Sequence, residues 1–227
     1  MTKQQSLLIL LATMTTLSFS QATRNIEVVD ASAAGSPIAL KGHISFDPTR
    51  ALLSVTGHNR SRQGLLALLA EVNAKPFIFY REQHDHFFKE IEITAHSDFI
   101  IGGGPIEFPF GNSSEARGVA NETTHAEAKV LWVQFEDGST WGDKQSEATV
   151  FAARAEIKEF LGHLVTVQKE SGDDAFVREL SAPQPSGSAV EAMAAGFRQL
   201  QQFHGTAALV DHINKRLIIG NARLTKK

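Results

Sequence analysis

Apolar and polar positions alternate from Ile38 through Leu40, Gly42, Ile44 and Phe46, with Ala39, Lys41, His43 and Ser45 between them. A period of two marks a strand with one buried face. Asp47-Pro48-Thr49-Arg50 follows as a type I turn with proline at its second position, and Leu53, Val55 and Gly57 carry the next strand to Asn59. Leu65 to Val72 is almost continuously apolar between Gly64 and Lys75-Pro76. A run that short predicts a strand buried on both faces. Further strands are expected at 77–82, at 87–94 with Ile91 and Ile93 inward, and at Phe99-Ile100-Ile101. Lys129 to Glu136, then Asp137-Gly138, then Ser139-Thr140-Trp141, predicts a hairpin on a two-residue type I′ turn. So many short strands within about 110 residues point to a sandwich.

The period changes after Gly142. Ser146 is placed to cap a helix whose apolar residues fall at Val150, Ala153, Ile157, Phe160, Leu164 and Val167. Ser171-Gly172 ends it, and Asp173 caps a short helix through Phe176, Val177 and Leu180. Ala182 to Gly187 reads as a linker. Ser188 and Glu191 form a capping box for a helix lined by Val190, Met193, Phe197 and Leu200, which Gly205 stops. Thr206 opens a last helix through Leu209, Ile213 and Leu217, while 217–224 fits either a helix end or a strand. The stripe at 150–167 has the spacing of a dimer seam, but such stripes more often face their own domain, so dimerisation there is disfavoured.

Residues 1–22 form a candidate signal peptide. Lys3 precedes an apolar run from Leu7 to Phe19, and Ser20-Gln21-Ala22 offers small residues for cleavage after Ala22. The run is too short to span a bilayer, so no transmembrane segment is expected in the mature chain. The expected location is therefore exported, either periplasmic or extracellular. Removing one lysine and no acid leaves 21 basic and 25 acidic side chains, a net charge of −4. That balance speaks against nucleic acid as a partner. The chain has no cysteine, which excludes disulfides, thiolate nucleophiles and Cys-ligated metals.

The strand ending in Thr56-Gly57-His58-Asn59-Arg60-Ser61, the apolar run Leu65–Val72 and the late strand Val130–Phe135 together resemble the immunoglobulin-like sandwich modules of exported bacterial proteins. The resemblance covers 36–143 and implies a fold; it carries over no functional residue. The cysteine pair and early buried tryptophan of antibody-type domains are missing. The expected fold class is therefore α+β: a signal peptide at 1–22, an N-terminal immunoglobulin-like antiparallel β-sandwich at 36–143, and a C-terminal α-helical region at 146–227.

His84-Asp85-His86 is the sharpest polar cluster. In an extended segment both imidazoles point to one face, where they are candidate metal ligands if a third group joins them. His58, His96 and Glu82 are the conceivable contributors. No HExxH motif is present. Gly102-Gly103-Gly104 is followed by prolines rather than a helix, against a phosphate loop, and no GxSxG elbow exists. Residues 102–126 read as a long loop, of a kind that is often functional. Phe108, Phe110 and Asn112 are its candidate binding residues, with a strand through Ile106, Phe108 and Phe110 as the alternative. Asn59, Asn112 and Asn121 head Asn-x-Ser/Thr sequons. No catalytic residue and no cofactor is assigned. The expectation is an exported, non-enzymatic binding or scaffolding protein of the cell envelope, with an envelope ligand or another protein as partner. A metal-binding protein or metal-dependent enzyme using His84 and His86 is the alternative. A carbohydrate-binding module stacking sugar on Trp132 or Trp141 is the second.

Overall fold

A computed structural model describes residues 24–46, 51–75, 78–90, 92–106 and 122–224. The candidate signal peptide, the Asp47–Arg50 turn, Phe108, Phe110, Asn112 and Asn121 lie outside the described residues. Among the described residues there are eight strands: β1 (Arg24–Asp30), β2 (Ile38–Phe46), β3 (Ala51–Asn59), β4 (Leu65–Lys75), β5 (Ile78–Asp85), β6 (Asp98–Ile106), β7 (His125–Phe135) and β8 (Thr140–Gly142). Two helices follow, α1 (Lys144–Ser181) and α2 (Ala189–Leu224). The protein is thus α+β, with a β-rich N-terminal part and helices at its C-terminal end.

All strands belong to one sheet in the order β5-β4-β7-β1-β2-β3-β6, with β8 also pairing β7. β1 runs parallel to β7 and every other pair is antiparallel. The end strands come together where the rings of His84 on β5 and Phe99 on β6 lie 6.2 Å apart. The sheet is therefore mixed and barrel-like, and not clearly the antiparallel sandwich expected. The difference arises at β1, which the sequence pattern did not predict: only Ile26 and Val28 mark its buried face. By inserting between β7 and β2 it joins what would otherwise be two sheets. Ile38, Ile44, Leu65, Leu68 and Val133, each 0% exposed, fill the interior.

β4 is buried on both faces, as its unbroken apolar run requires. Leu65, Leu68, Ala70 and Val72 face the barrel core. Leu66 joins the helical core, and Ala67 and Leu69 pack with Trp132 and Val150.

Other local expectations are corrected. No strand forms among the described residues of 87–94, from which Ile91 is missing: Phe87 and Phe88 turn into the helical core, and Ile93 bridges back to Leu65. β6 runs through Gly102-Gly103-Gly104 to Ile106, over the start of the loop expected at 102–126, and 107–121 lie outside the described residues. The β7–β8 hairpin has a three-residue loop rather than a type I′ turn. Gly138 N–H donates to Phe135 C=O and Phe135 N–H to Ser139 C=O, with Gly138 alone at positive φ (87°).

Asp143, not Ser146, caps α1. Its Oδ2 accepts from Ser146 N–H at 2.7 Å and from Ser146 Oγ at 2.8 Å. Both helices reverse at a glycine, Gly172 (φ 79°, ψ −177°) and Gly205 (φ 81°, ψ 168°), in a region almost closed to other residues. Sixteen residues along a straight helix would span about 24 Å, yet His163 Nε2 is 2.9 Å from Glu179 Oε1. Phe197 and His212 likewise meet across Gly205, with ring centroids 6.0 Å apart. Four helical arms result, as the glycines and caps predict, and 217–224 is helical. The 150–167 stripe packs within the chain: Leu161 and Leu164 are 0% exposed among Phe176, Leu209 and Ile213. Among the described residues no helix is long and apolar enough to cross a membrane.

Candidate functional site

One edge of β7 is shared by two short partners. β1 pairs with Ala126, Glu127 and Ala128, and β8 pairs with Trp132, Val133 and Gln134. Between them Lys129, Val130 and Leu131 have no strand alongside, and the sheet is notched there. Two features hold the notch open. On the β1 side, Asp30 draws the chain away: its Oδ1 accepts from Ser32 N–H at 3.0 Å and its Oδ2 from Leu40 N–H at 2.9 Å. Ser32 Oγ then accepts from Val130 N–H at 3.0 Å, where a strand carbonyl would otherwise sit. On the β8 side, Gly142 (φ 107°) turns the chain so that Asp143 N–H donates to Leu131 C=O at 2.9 Å. A side chain at Gly142 would collide with that carbonyl. Leu131 itself is the extra residue of a β-bulge against β4, where Leu69 faces Trp132 and Ala70 faces Val130. Bulges recur beside binding sites because they re-aim side chains.

The resulting cavity of about 590 Å³ is open to solvent and is lined by Ala31, Ala33, Ala34, Lys129, Val130, Leu131, Trp141, Gly142 and Asp143. Its size falls within the usual range for small-ligand sites. The two tryptophans therefore differ. Trp132 is 0% exposed and donates its ring N–H to Glu147, so it belongs to the core. Trp141 is half-buried and faces the notch. Sequence reasoning singled out Trp141 but missed the alanines, because nothing in Ala31 to Ala34 reports that β1 leaves the sheet there.

His84, Asp85 and His86 sit where the helices meet the sheet. Asp85 forms a two-point ion pair with Arg154 of α1, Nε to Oδ2 at 2.8 Å and Nη2 to Oδ1 at 2.9 Å. Arg154 Nη1 also donates to Gln134 Oε1 at 2.6 Å, and its guanidinium lies 4.5 Å from the centre of the Phe87 ring. Arg223 of α2 donates to the carbonyls of His86 and Phe87. Gly220 passes so close to Phe88 that a Cβ there would lie 2.5 Å from its ring.

His86 is 1% exposed, and neither of its ring nitrogens has a hydrogen-bond partner; nor has the buried Nε2 of His84. Burial, and next the charge of Lys89, push the His86 imidazole below its usual range. Glu92 and the nearby Glu90 backbone act in the opposite sense, although the Glu90 contact lacks hydrogen-bond geometry. His84 Nε2 lies 3.9 Å from Glu82 Oε1. His58 instead pairs with Asp98 at 2.8 Å, and His96 occupies a turn at φ 54°. Among the described residues no group of three His, Cys, Asp or Glu side chains is placed to hold a metal ion.

Asn59, the first sequon residue, is 0% exposed and donates to Gln63 C=O and Thr94 C=O, so its amide is a structural brace. Comparison with known proteins gives no match to a family model, a curated protein or a solved structure.

Proposed function

We propose that this is an exported, non-enzymatic binding protein of the cell envelope, and that its ligand is held in the notch beside Trp141. The observation carrying this reading is the interruption of the β7 edge, where a bulge, an Asx turn and a positive-φ glycine keep a cavity open beside a half-buried indole. Each device removes strand pairing that a purely structural sheet would gain. Export rests on the candidate signal peptide at 1–22. The resemblance of 36–143 to immunoglobulin-like sandwich modules bears on fold alone.

Metal binding at His84 and His86 is the competing reading. Its support is the set of buried ring nitrogens without hydrogen-bond partners.

The test uses a Trp132→Phe variant, which leaves Trp141 as the sole tryptophan. Titration with envelope glycans, peptides and small apolar compounds should give a saturable change in emission with at least one of them, and Trp141→Ala should abolish that binding. Emission unmoved by every compound would sink the proposal.

A further inference from the structure

Resting on the notch as the binding site, we propose that its ligand is an apolar carboxylic acid, bound as the carboxylate, with its head on Lys129 and its tail along Trp141 and Leu131. The charged groups around the cavity carry the argument. Lys129 lines the cavity, and its Nζ lies 2.6 Å from Glu71 Oε1. Arg81 Nη2 donates to the other oxygen of the same carboxylate, Oε2, at 3.3 Å. Burial pushes the Glu71 carboxyl up, but hydrogen bonds from Lys129 and Arg81 outweigh it and hold the group below its usual range, so it is ionised. Lys129 therefore shares its anion with a second cation and is not fully neutralised by it. Among the described residues the ammonium has no other side-chain partner, and it carries three donors. A ligand carboxylate would take up the remaining charge through a charge-assisted hydrogen bond, roughly twice as strong as a neutral one.

The nearby acids leave that place open. Asp143 lines the same cavity, but its Oδ2 is used by the first turn of α1 through both Ser146 contacts, and the positive end of that helix offsets its charge. Glu127, two residues before Lys129 on β7, lies 3.6 Å from His125 and outside the cavity lining. Backbone donors are present too: among the described residues the N–H groups of Ala33 and Ala34, both in the lining, meet no acceptor. An apolar tail has Trp141 and Leu131, both half-buried, to cover. A neutral polyol would leave the Lys129 charge unanswered, and an inorganic anion would leave the indole uncovered.

The test follows Trp141 emission in the full mature chain carrying Trp132→Phe, titrated with octanoate and with octanamide, which share a tail and differ in charge. Octanoate should bind at least about tenfold more tightly at low ionic strength, and added salt should shrink the difference. Lys129→Met should abolish the preference while octanamide still binds. Because Lys129 also holds the buried Glu71, Ala33→Glu serves as a second variant: Ala33 is exposed, and a carboxylate there should weaken octanoate binding and spare octanamide. Equal binding of the two compounds, or emission moved only by uncharged members of the wider set, would overturn the acid and leave the notch as a site. A preference for octanoate unchanged in both variants would also overturn the inference, by placing the carboxylate elsewhere. Emission unmoved by every compound would remove the notch reading and this one together.

Discussion

Arg154 grips Asp85 through both carboxylate oxygens, at 2.8 and 2.9 Å, and this pair fastens α1 to the end of β5. The guanidinium is almost fully buried, lies over Phe87 and is also bonded to Gln134 on β7. One side chain thus ties together two strands, the turn at Phe87 and a helix. Arg223 repeats the device from α2, on the carbonyls of His86 and Phe87. The polar cluster that looks most like a site in the sequence is, in its central residue, the mount for the helical arms.

Removing one partner of a buried ion pair leaves the other charge uncompensated. Arg154→Ala and Asp85→Ala should each lower stability by about 3–5 kcal/mol. The double variant should cost clearly less than the sum of the two, because neither charge is then stranded. Denaturant melts decide this. Single-variant losses under about 1 kcal/mol would mean that the helices dock by apolar packing alone.

The β7 strand yields a contrast between neighbouring residues. Val133 is 0% exposed in the barrel core, whereas Leu131 is half-buried at the notch. Val133→Ala should cost about 2 kcal/mol. Leu131→Ala should cost less despite removing more atoms, and it should alter ligand binding. Equal and large losses in both would place Leu131 in the core instead.

Legibility in the sequence followed the strength of the local signal. The strict alternation of β2, the doubly buried run of β4 and the glycine stops at Gly172 and Gly205 are each written within a few residues. β1 was not legible, because two buried side chains make no period and its parallel pairing with β7 joins residues about a hundred positions apart. Phe87-Phe88 misled for a related reason. Apolar residues next to Ile91 and Ile93 read as a strand, but the bond from Asp85 to Phe87 N–H at 2.9 Å starts a turn and aims both rings at the helices. Trp141 was visible as a candidate. The notch was not, since it is made by the two places where β1 and β8 stop pairing.

Export predicts a mature N-terminus at Thr23, just before β1 begins at Arg24. Intact-mass measurement of protein from its native host should show the loss of residues 1–22. A mass that retains Met1 to Ala22 would remove the basis for placing the protein in the envelope.

His84 and His86 should hold divalent metal only weakly, since no third side chain converges on them among the described residues. Melting temperatures with micromolar zinc, nickel or copper should match those with chelator. A stabilisation that disappears in His84→Ala/His86→Ala would instead place a metal site first, because a ligand bound only to the folded state raises its stability.

The last prediction concerns acid. His86 and His212 are both pushed below the ordinary imidazole range by burial, with nearby lysine or arginine charges adding to the effect. As pH falls through about 6.5, the unfolded chain takes up protons that these two folded imidazoles still refuse. The unfolded state is therefore favoured, and stability should decline from near neutrality downward, by at most about 1.4 kcal/mol per pH unit for each histidine. Below the folded values the two states bind equally and this contribution flattens. Glu71 and Asp30, held below their ordinary values by hydrogen bonds despite burial, add a separate loss as pH falls through the carboxylate range. Since His86 follows Asp85, which Arg154 holds, and offers Arg223 its own carbonyl, the first decline should be accompanied by loosening of the helices from the sheet. Hydrogen exchange along 206–224 as a function of pH would report it. His86→Leu should remove the share of the decline near neutrality that His86 contributes, leaving that of His212 and the carboxylate step in place. A stability profile flat between neutral pH and the carboxylate range in the wild type would show that neither His86 nor His212 is held neutral in the fold.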